Sequence, residues 1–274
     1  MKKERVDVLA FQQGLFETRE KAKRAIMAGL VYTQKNQRLD KPGEKIAQDT
    51  VLKIIGQKLP YVSRGGLKLE KALQVFDFQV KDKILLDIGS STGGVTDCAL
   101  QNGAKKSYAL DVGYNQLAWK IRQDPRVIVM ERTNFRYSKA ADFNSGIPEI
   151  ATIDVSFISL KKILPALHDI LCAGGDVMAL IKPQFEAGKS SVGKNGIIHD
   201  PVVHRAVLED ISNFILAAGY DLRALDYSPV TGGHGNIEFI AHLRKQEQEG
   251  QMAENLSLNE IVAHAHHELD KNHK

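Results

Sequence analysis

Four charged residues stand where the chain is otherwise apolar or about to turn. Asp154 ends Glu-Ile-Ala-Thr-Ile-Asp and Lys182 ends Val-Met-Ala-Leu-Ile-Lys. Glu238 lies early in the last apolar run, and Lys68 lies within Leu-Lys-Leu-Glu-Lys-Ala-Leu. Taken singly, each has the look of an exposed strand-end or helix-face charge. Asp154 and Lys182 are sharper, because each closes a strongly apolar stretch and precedes a marked turn, Val-Ser-Phe-Ile-Ser and Pro-Gln-Phe-Glu respectively. Burying such groups alone is costly, so pairing of the carboxylates with the ammonium groups is expected. A paired lysine can orient a hydroxyl and, in its neutral form, take that hydroxyl's proton.

A second group of residues suits a ligand rather than a reaction. Residues 83–97 read Lys-Ile-Leu-Leu-Asp-Ile-Gly-Ser-Ser-Thr-Gly-Gly-Val-Thr-Asp, an apolar strand entering a glycine-rich turn and then a helix. Glycine lets the main chain pass close to a ligand, and the free N–H groups of a helix start bind polar or anionic groups. Asp111 closes the next apolar run, Ser-Tyr-Ala-Leu-Asp. A doubly wound sheet places a carboxylate there to bind a ribose hydroxyl pair. The two signals predict a nucleotide-like cofactor and leave the reaction open.

Bringing both groups together takes a sheet whose strand ends share one edge. Strands are predicted at 83–88, 106–111, 127–130, 150–154 and 176–181, with helices near 93–102, 115–123, 159–171 and 201–218. That alternation predicts an α/β, doubly wound parallel sheet. Two further strands, 222–229 and 236–243, are joined by Pro-Val-Thr-Gly-Gly-His-Gly-Asn, a hairpin-like turn. Ligands of such sheets bind beyond the carboxyl ends of the strands. If the last strand is antiparallel, Glu238 starts at the edge where Asp154 and Lys182 end. Lys68, on a helix before the sheet, could fold over that edge. Seven strands in this pattern resemble the Rossmann-like fold of S-adenosylmethionine (SAM)-dependent methyltransferases more than that of dehydrogenases.

The 274 residues, 43% of them hydrophobic, are enough for one or two domains with a real core. No apolar run is long enough to span a bilayer, and no apolar stretch follows the basic start as it would in a secretory signal. Cys98 and Cys172 lie far apart in apolar segments, which suits buried thiols in a reducing cytoplasm rather than a disulfide or a metal site. His264, His266 and His267 read as a solvated cluster in a polar, His-rich tail over 246–274, a loose helix after Gly250, so no metal is expected. His234, in the glycine-rich turn, is the histidine best placed to touch a substrate.

Charge is distributed unevenly. Residues 1–60 hold 13 Lys/Arg against 7 Asp/Glu, a net +6, while the rest hold 24 against 26, a net −2. A small basic segment before a nearly neutral body suggests a polyanion-binding module, although a solvated helix face has the same composition. Within it, a helix begins at Asp7 and a second spans the stretch from Thr18, its N-cap, to Gly29, followed by a strand from Leu30. The stretch Thr18–Val31, with Arg24, Ala25, Ile26, Gly29 and Val31, resembles the small α+β RNA-binding domain of the ribosomal-protein S-four type. That likeness implies RNA contacts from Arg19, Lys23 and Arg24. Leu-Pro-Tyr-Val-Ser-Arg-Gly-Gly then reads as a linker over 61–66, carrying Arg64 as a further RNA contact. The expected domains are 1–60 and 67–245, with the tail beyond.

Lys68, Asp154, Lys182 and Glu238 match, in order and context, the Lys-Asp-Lys-Glu quartet of ribose 2′-O-methyltransferases of the FtsJ/RrmJ type. Together with the S-four-like start, Tyr-Val-Ser-Arg-Gly-Gly, Asp-Ile-Gly-Ser-Ser-Thr-Gly-Gly and Ile-Lys-Pro-Gln-Phe-Glu, the chain resembles the TlyA family, also labelled hemolysin A, over residues 1–245. The resemblance implies SAM-dependent methylation of cytidine 2′-hydroxyls in ribosomal RNA, of the large subunit and in some members also the small one. Ribosomal RNA or ribosomal subunits would be the partner of a cytoplasmic monomer with no stable membrane association. It implies catalytic roles for the quartet, with Lys182 either deprotonating or merely orienting the hydroxyl. Gly89, Ser91, Thr92, Gly93 and Gly94 would line the methionine side of the cofactor, Asp111 its ribose and Asn134 the adenine side, with Asp87 a further cofactor residue. Ser91 replaces the middle glycine of the commonest Gly-x-Gly-x-Gly turn. A nicotinamide-dependent dehydrogenase would share the turn and Asp111 but not the quartet. A non-catalytic RNA-binding assembly factor would share the basic start, and a membrane-lytic protein rests on the hemolysin label alone.

Overall fold

The computed structural model describes residues 2–27, 29–55, 59–188, 193 and 196–270. Contacts divide the chain into two compact units, Met1–Gly66 and Leu67–Lys274.

In the first unit β1 (Lys3–Arg5), α1 (Val6–Gln12), α2 (Arg19–Met27), β2 (Val31–Thr33), β3 (Lys45–Ala47) and β4 (Leu52–Ile54) follow one another. β1 pairs antiparallel with β3, and β2 with β4. The apolar face expected of the second helix is present: Ala22, Ala25 and Ile26 pack with Val6, Leu9, Ala10, Val31, Leu39 and Leu52. Thr18 Oγ1 accepts the Lys21 N–H at 3.1 Å, the N-cap bond its position calls for. Beneath the basic surface Asp7 is fully buried and held by Arg5 (2.9 Å) and Arg19 (3.0 Å). Burial pushes its carboxyl up, and the two guanidinium groups more than offset this and hold it below the usual carboxylate range.

The second unit is reached through α3 (Gly65–Val75) and continues as β5 (Ile84–Ile88), α4 (Gly94–Gln101), β6 (Lys106–Leu110), α5 (Trp119–Arg122), β7 (Val127–Met130), β8 (Ile150–Ile153), α6 (Leu164–Ile170), β9 (Asp176–Ile181), α7 (Pro183–Glu186), α8 (Pro201–Ala217), β10 (Tyr220–Tyr227), β11 (Phe239–Lys245) and α9 (Leu258–Asp270). A seven-stranded sheet runs in the order β10-β11-β9-β8-β5-β6-β7. Six strands run in one direction, and β11 alone runs against them, between β9 and β10. This is the mostly parallel, Rossmann-like methyltransferase topology that the sequence pattern predicts. β5 is buried along its whole length, as expected of a central strand covered on both faces. Among the described residues, no helix is long and apolar enough to cross a membrane.

The structure departs from the predicted elements in informative places. The helix expected over 115–123 shrinks to α5, because Asn115 takes a left-handed φ of 55° and Ala118, with ψ 139°, is extended, so helical backbone starts only at Trp119. The helix expected over 159–171 breaks into a 3₁₀ turn, Leu160–Lys162, and α6, which restarts with Pro165 in its first turn. The last strand begins at Phe239 rather than 236, because Asn236 spends its side chain on the preceding loop. Its Oδ1 accepts the Ile198 N–H (3.1 Å) and its Nδ2 donates to the carbonyls of Gly196 (2.9 Å) and Gly233 (3.1 Å). His234 falls in that loop, and its side chain lies outside the described residues. The loose helix expected in the polar tail is α9, and it is docked: Val262, Ala265 and Leu269 are buried in the same core as β8, β9 and α8. Its histidines lie between these apolar positions.

One of those histidines bears on stability. His204 of α8 is fully buried, with Nδ1 2.9 Å from Nε2 of His266 on α9. Burial first, then His266, lowers its imidazole from 6.5 to about 4, with Asp200 opposing. The unfolded chain would bind a proton there below pH 6.5 and the folded chain would not. The stability held by neutral His204 is therefore complete above pH 6.5 and lost as pH falls toward 4, on the order of 3 kcal/mol in all. Denaturant melts at several pH values should show that slope, and His204→Leu should flatten it.

Candidate active site

The quartet assembles at the carboxyl edge of the sheet because three strand registers bring it there. Asp154 follows β8, Lys182 follows β9, and the pairing of Phe239 with Ile181 puts Glu238, just before β11, beside Lys182. Lys68 comes from the first turns of α3. Its Nζ donates to Asp154 Oδ2 (2.8 Å) and to Glu238 Oε2 (3.0 Å). Lys182 Nζ lies 2.6 Å from Asp154 Oδ1 and donates to Ser156 Oγ at 3.3 Å. The result is an alternating row, Lys182–Asp154–Lys68–Glu238, of two cations and two anions. Its members are nearly closed to solvent: Lys68, Lys182 and Glu238 are 8, 7 and 3% exposed.

Electrostatics hold Asp154 and Lys68 in their charged forms. Burial pushes the Asp154 carboxyl up, but Lys68 and Lys182 outweigh burial and keep it well below the usual carboxylate range. Burial likewise opposes the charge of Lys68, and Asp154 and Glu238 reverse that and hold its ammonium above an ordinary lysine. Two anions therefore lock Lys68 as a cation. Lys182 shares one of those anions and otherwise meets the Ser156 hydroxyl.

The glycine turn abuts the quartet directly. At Gly89, where φ is 88°, a Cβ would lie 2.4 Å from the Asp154 carbonyl oxygen, so only glycine lets the ends of β5 and β8 approach. Gly93, at φ 91°, turns the chain into α4 with Leu117 where its Cβ would be. Gly93 and Gly94 are buried, whereas Gly89 and Thr92 are half-buried and Ser91 is exposed. Asp111 faces this turn: its Oδ2 accepts the Ser91 N–H (2.8 Å) and its Oδ1 the Gly113 N–H (2.7 Å). Exposed Val112 follows it, so a carboxylate and an apolar surface lie side by side. That donor set fits a ribose diol continued by a planar base.

Two of the predicted cofactor residues have other employment. Asp87 is wholly buried, and its oxygens accept from Thr96 Oγ1 (2.7 Å) and Thr152 Oγ1 (2.9 Å). Burial pushes its carboxyl up to about 6. It braces the turn from beneath and has no surface left for a ligand. Asn134 caps the 3₁₀ turn Phe135–Tyr137, its Oδ1 accepting from the N–H and Nε of Arg136. Of the predicted RNA contacts, Arg19 is paired with Asp7, Lys23 with Glu20 (3.3 Å) and Arg64 with Asp40 (3.8 Å). Arg24 is exposed and has no charged partner among the described residues.

Three residues of the site escaped sequence reasoning: Ser156, Phe157 and Gln184. Ser156 sits in the turn after Asp154 and Gln184 in the short helix α7 after Lys182, where sequence marks a turn but not the contacts. Phe157 is 90% exposed, holds a left-handed φ of 63°, and packs on Phe185 with ring centroids 4.9 Å apart. A bulky residue is strained in that conformation, and such strain concentrates at functional loops. Among the described residues, no group of three or more His, Cys, Asp or Glu is placed to hold a metal ion.

Residues 61–245 match the family described as FtsJ-like methyltransferase. YqxC of Bacillus subtilis is 64% identical over 270 residues, covering 98% of this chain and 96% of that one. The 16S/23S rRNA (cytidine-2′-O)-methyltransferase TlyA of Mycobacterium tuberculosis is 37% identical over 258 residues, 92% of this chain and 94% of that one. A solved structure from Streptococcus thermophilus that carries a hemolysin name is 59% identical, with a TM-score of 0.81, and covers 100% of this chain and 99% of its own.

Proposed function

The chain belongs to the FtsJ-like methyltransferase family, and from that premise we propose that it transfers a methyl group from SAM to the 2′-hydroxyl of a cytidine ribose in ribosomal RNA. The observation that carries the proposal is the alternating Lys182–Asp154–Lys68–Glu238 row, closed to solvent and abutting the glycine turn through Gly89. Ribosomal RNA and the cytidine come from the activity that names the TlyA relative.

The residues fit SAM. Gly89, Ser91 and Thr92 would hold its methionine part and Asp111 its ribose hydroxyls, with Val112 beside the adenine. When bound, SAM supplies a methyl group already activated on a sulfonium. What the protein must add is alignment of the acceptor and removal of its proton, since a ribose hydroxyl is a weak nucleophile at neutral pH. Lys182 is the group for this task. It would hold the 2′-oxygen through its Nζ and, in its neutral form, take the hydroxyl proton as the oxygen gains the methyl. Asp154 fixes Lys182 in place and Lys68 fixes Asp154. The first unit, with exposed Arg24 and half-exposed Arg19, would bind structured RNA through its phosphates.

Phe157 offers its ring to an unstacked base beside the row. Base stacking on an aromatic side chain contributes about 1–3 kcal/mol. Phe157→Ala is expected to raise the KM for RNA about tenfold and to leave the thermal midpoint unchanged or slightly higher, while Phe157→Trp keeps the affinity. Filter-binding and steady-state assays check both.

Incubation with tritiated SAM and separate large and small ribosomal subunits, from a strain lacking this protein, tests the whole reading. Label should appear in rRNA at a cytidine whose 2′ position resists alkaline cleavage. Label on a base, or none on either subunit, rejects it.

A further inference from the structure

Glu238 has two carboxylate oxygens, and the quartet explains only one. Oε2 accepts from Lys68; Oε1 accepts from Gln184 Nε2 at 3.3 Å. The backbone of Gly232 closes on the same oxygen, where a Cβ would come within 2.2 Å of it. Gln184 in turn has an anomaly: its own Oε1 is buried with no hydrogen-bond partner among the described residues. An unpartnered buried acceptor costs about 1–3 kcal/mol, and such groups are uncommon enough to need a reason. An amide can be turned end for end with almost no change of shape. Here the reversed amide would set a carbonyl oxygen against the Glu238 carboxylate. The N–H donor to Glu238 thus fixes the amide, and the cost of the empty acceptor is borne to keep it.

Gln184 stands two residues after Lys182, separated from it by Pro183 at the start of α7. The row of contacts therefore leaves Lys182, passes through Asp154, Lys68 and Glu238, and returns to the same short helix at Gln184. The partner segment is tied to that helix as well, because Glu186 Oε1 accepts the Leu160 N–H at 2.8 Å and Phe185 meets Phe157. We infer that Gln184 is a positioning residue for the transfer, holding the Glu238 carboxylate so that Lys68 and Asp154 set Lys182 at the acceptor hydroxyl. The inference rests on the quartet reading above. Gln184 acts through Glu238 and touches neither the methyl group nor the hydroxyl.

Full-length Gln184→Met and Gln184→Glu proteins, assayed with tritiated SAM and ribosomal subunits from a strain lacking this protein, test it. Gln184→Met keeps the volume but donates nothing, and should lower kcat about tenfold while KM for the subunits and the Kd for SAM stay within about twofold. Gln184→Glu sets a second carboxyl against Glu238. At about pH 8 the two repel; near pH 6 they can share a proton and rebuild the contact. The ratio of mutant to wild-type kcat should therefore rise about fivefold or more between those values, which a purely structural role would not produce. If Gln184→Met melts well below the wild type, the pH ratio of Gln184→Glu decides the matter. A flat ratio, or a Gln184→Met protein with wild-type kcat, overturns the inference. If Lys182→Ala is inactive in the same assay the quartet reading survives such a result; if Lys182→Ala is active, both fall.

Discussion

Lys182→Ala is expected to slow methyl transfer by about three orders of magnitude while leaving the fold and SAM binding largely intact. The asymmetry follows from the two lysines' partners. Lys68 is held by two carboxylates, whereas Lys182 shares only Asp154 and otherwise meets the Ser156 hydroxyl. Removing Lys182 leaves Asp154 still paired with Lys68 at 2.8 Å, so no buried charge is stranded. Alignment of the acceptor hydroxyl and the means to take its proton both go with it. Single-turnover assays alongside calorimetric titration of SAM separate the two effects. Turnover within tenfold of wild type would show that Lys182 neither orients nor deprotonates the acceptor.

Asp154→Ala should be the most destabilising single change at the site. It removes the one anion that two nearly buried ammonium groups share, and it leaves Lys182 without a charged partner in the row. Breaking a buried ion pair from one side typically costs about 3–5 kcal/mol, which for a unit of this size lowers the thermal midpoint by roughly 10 °C. The double variant Asp154→Ala/Lys182→Ala should recover part of that loss, because it removes the stranded cation as well. Thermal melts of the wild type, the two single variants and the double variant measure the coupling. Simple additivity would mean that the 2.6 Å contact contributes nothing net. Activity should be absent from both Asp154 variants wherever they remain folded.

Much of this architecture was legible in the chain. The apolar runs of β5, β8 and β9 and the charges that close them need no tertiary information, since a parallel strand covered on both faces must be nearly all apolar. Asp154 and Lys182 stand out for that reason, and Thr18 announces the start of α2. Other features were not legible. The family resemblance implied Asp87 as a cofactor ligand, but within a strand successive side chains face opposite ways, and its side leads to Thr96 and Thr152. The tail read as a loose helix, but its docking on the core did not show, because three buried apolar positions suffice to dock a helix that is otherwise rich in histidine. The left-handed backbone of Phe157 carries no sequence signal at all: glycine or asparagine would be expected there.

The sequence by itself determined the order of strands and helices, the turn that suits a nucleotide-like cofactor, and the identity of the four charged residues. These depend on local period, on glycine's freedom and on the cost of burying charge, all of which act over a few neighbouring residues. Only the tertiary structure decided that Lys68 bridges Asp154 and Glu238 across 86 and 170 residues of chain, and that Gln184 closes the row. It also decided which lysine meets two carboxylates and which meets one carboxylate and the Ser156 hydroxyl. Charge interactions fall off within a few ångströms, so their partners are set by strand register and loop packing, and neither is written in the spacing of residues along the chain.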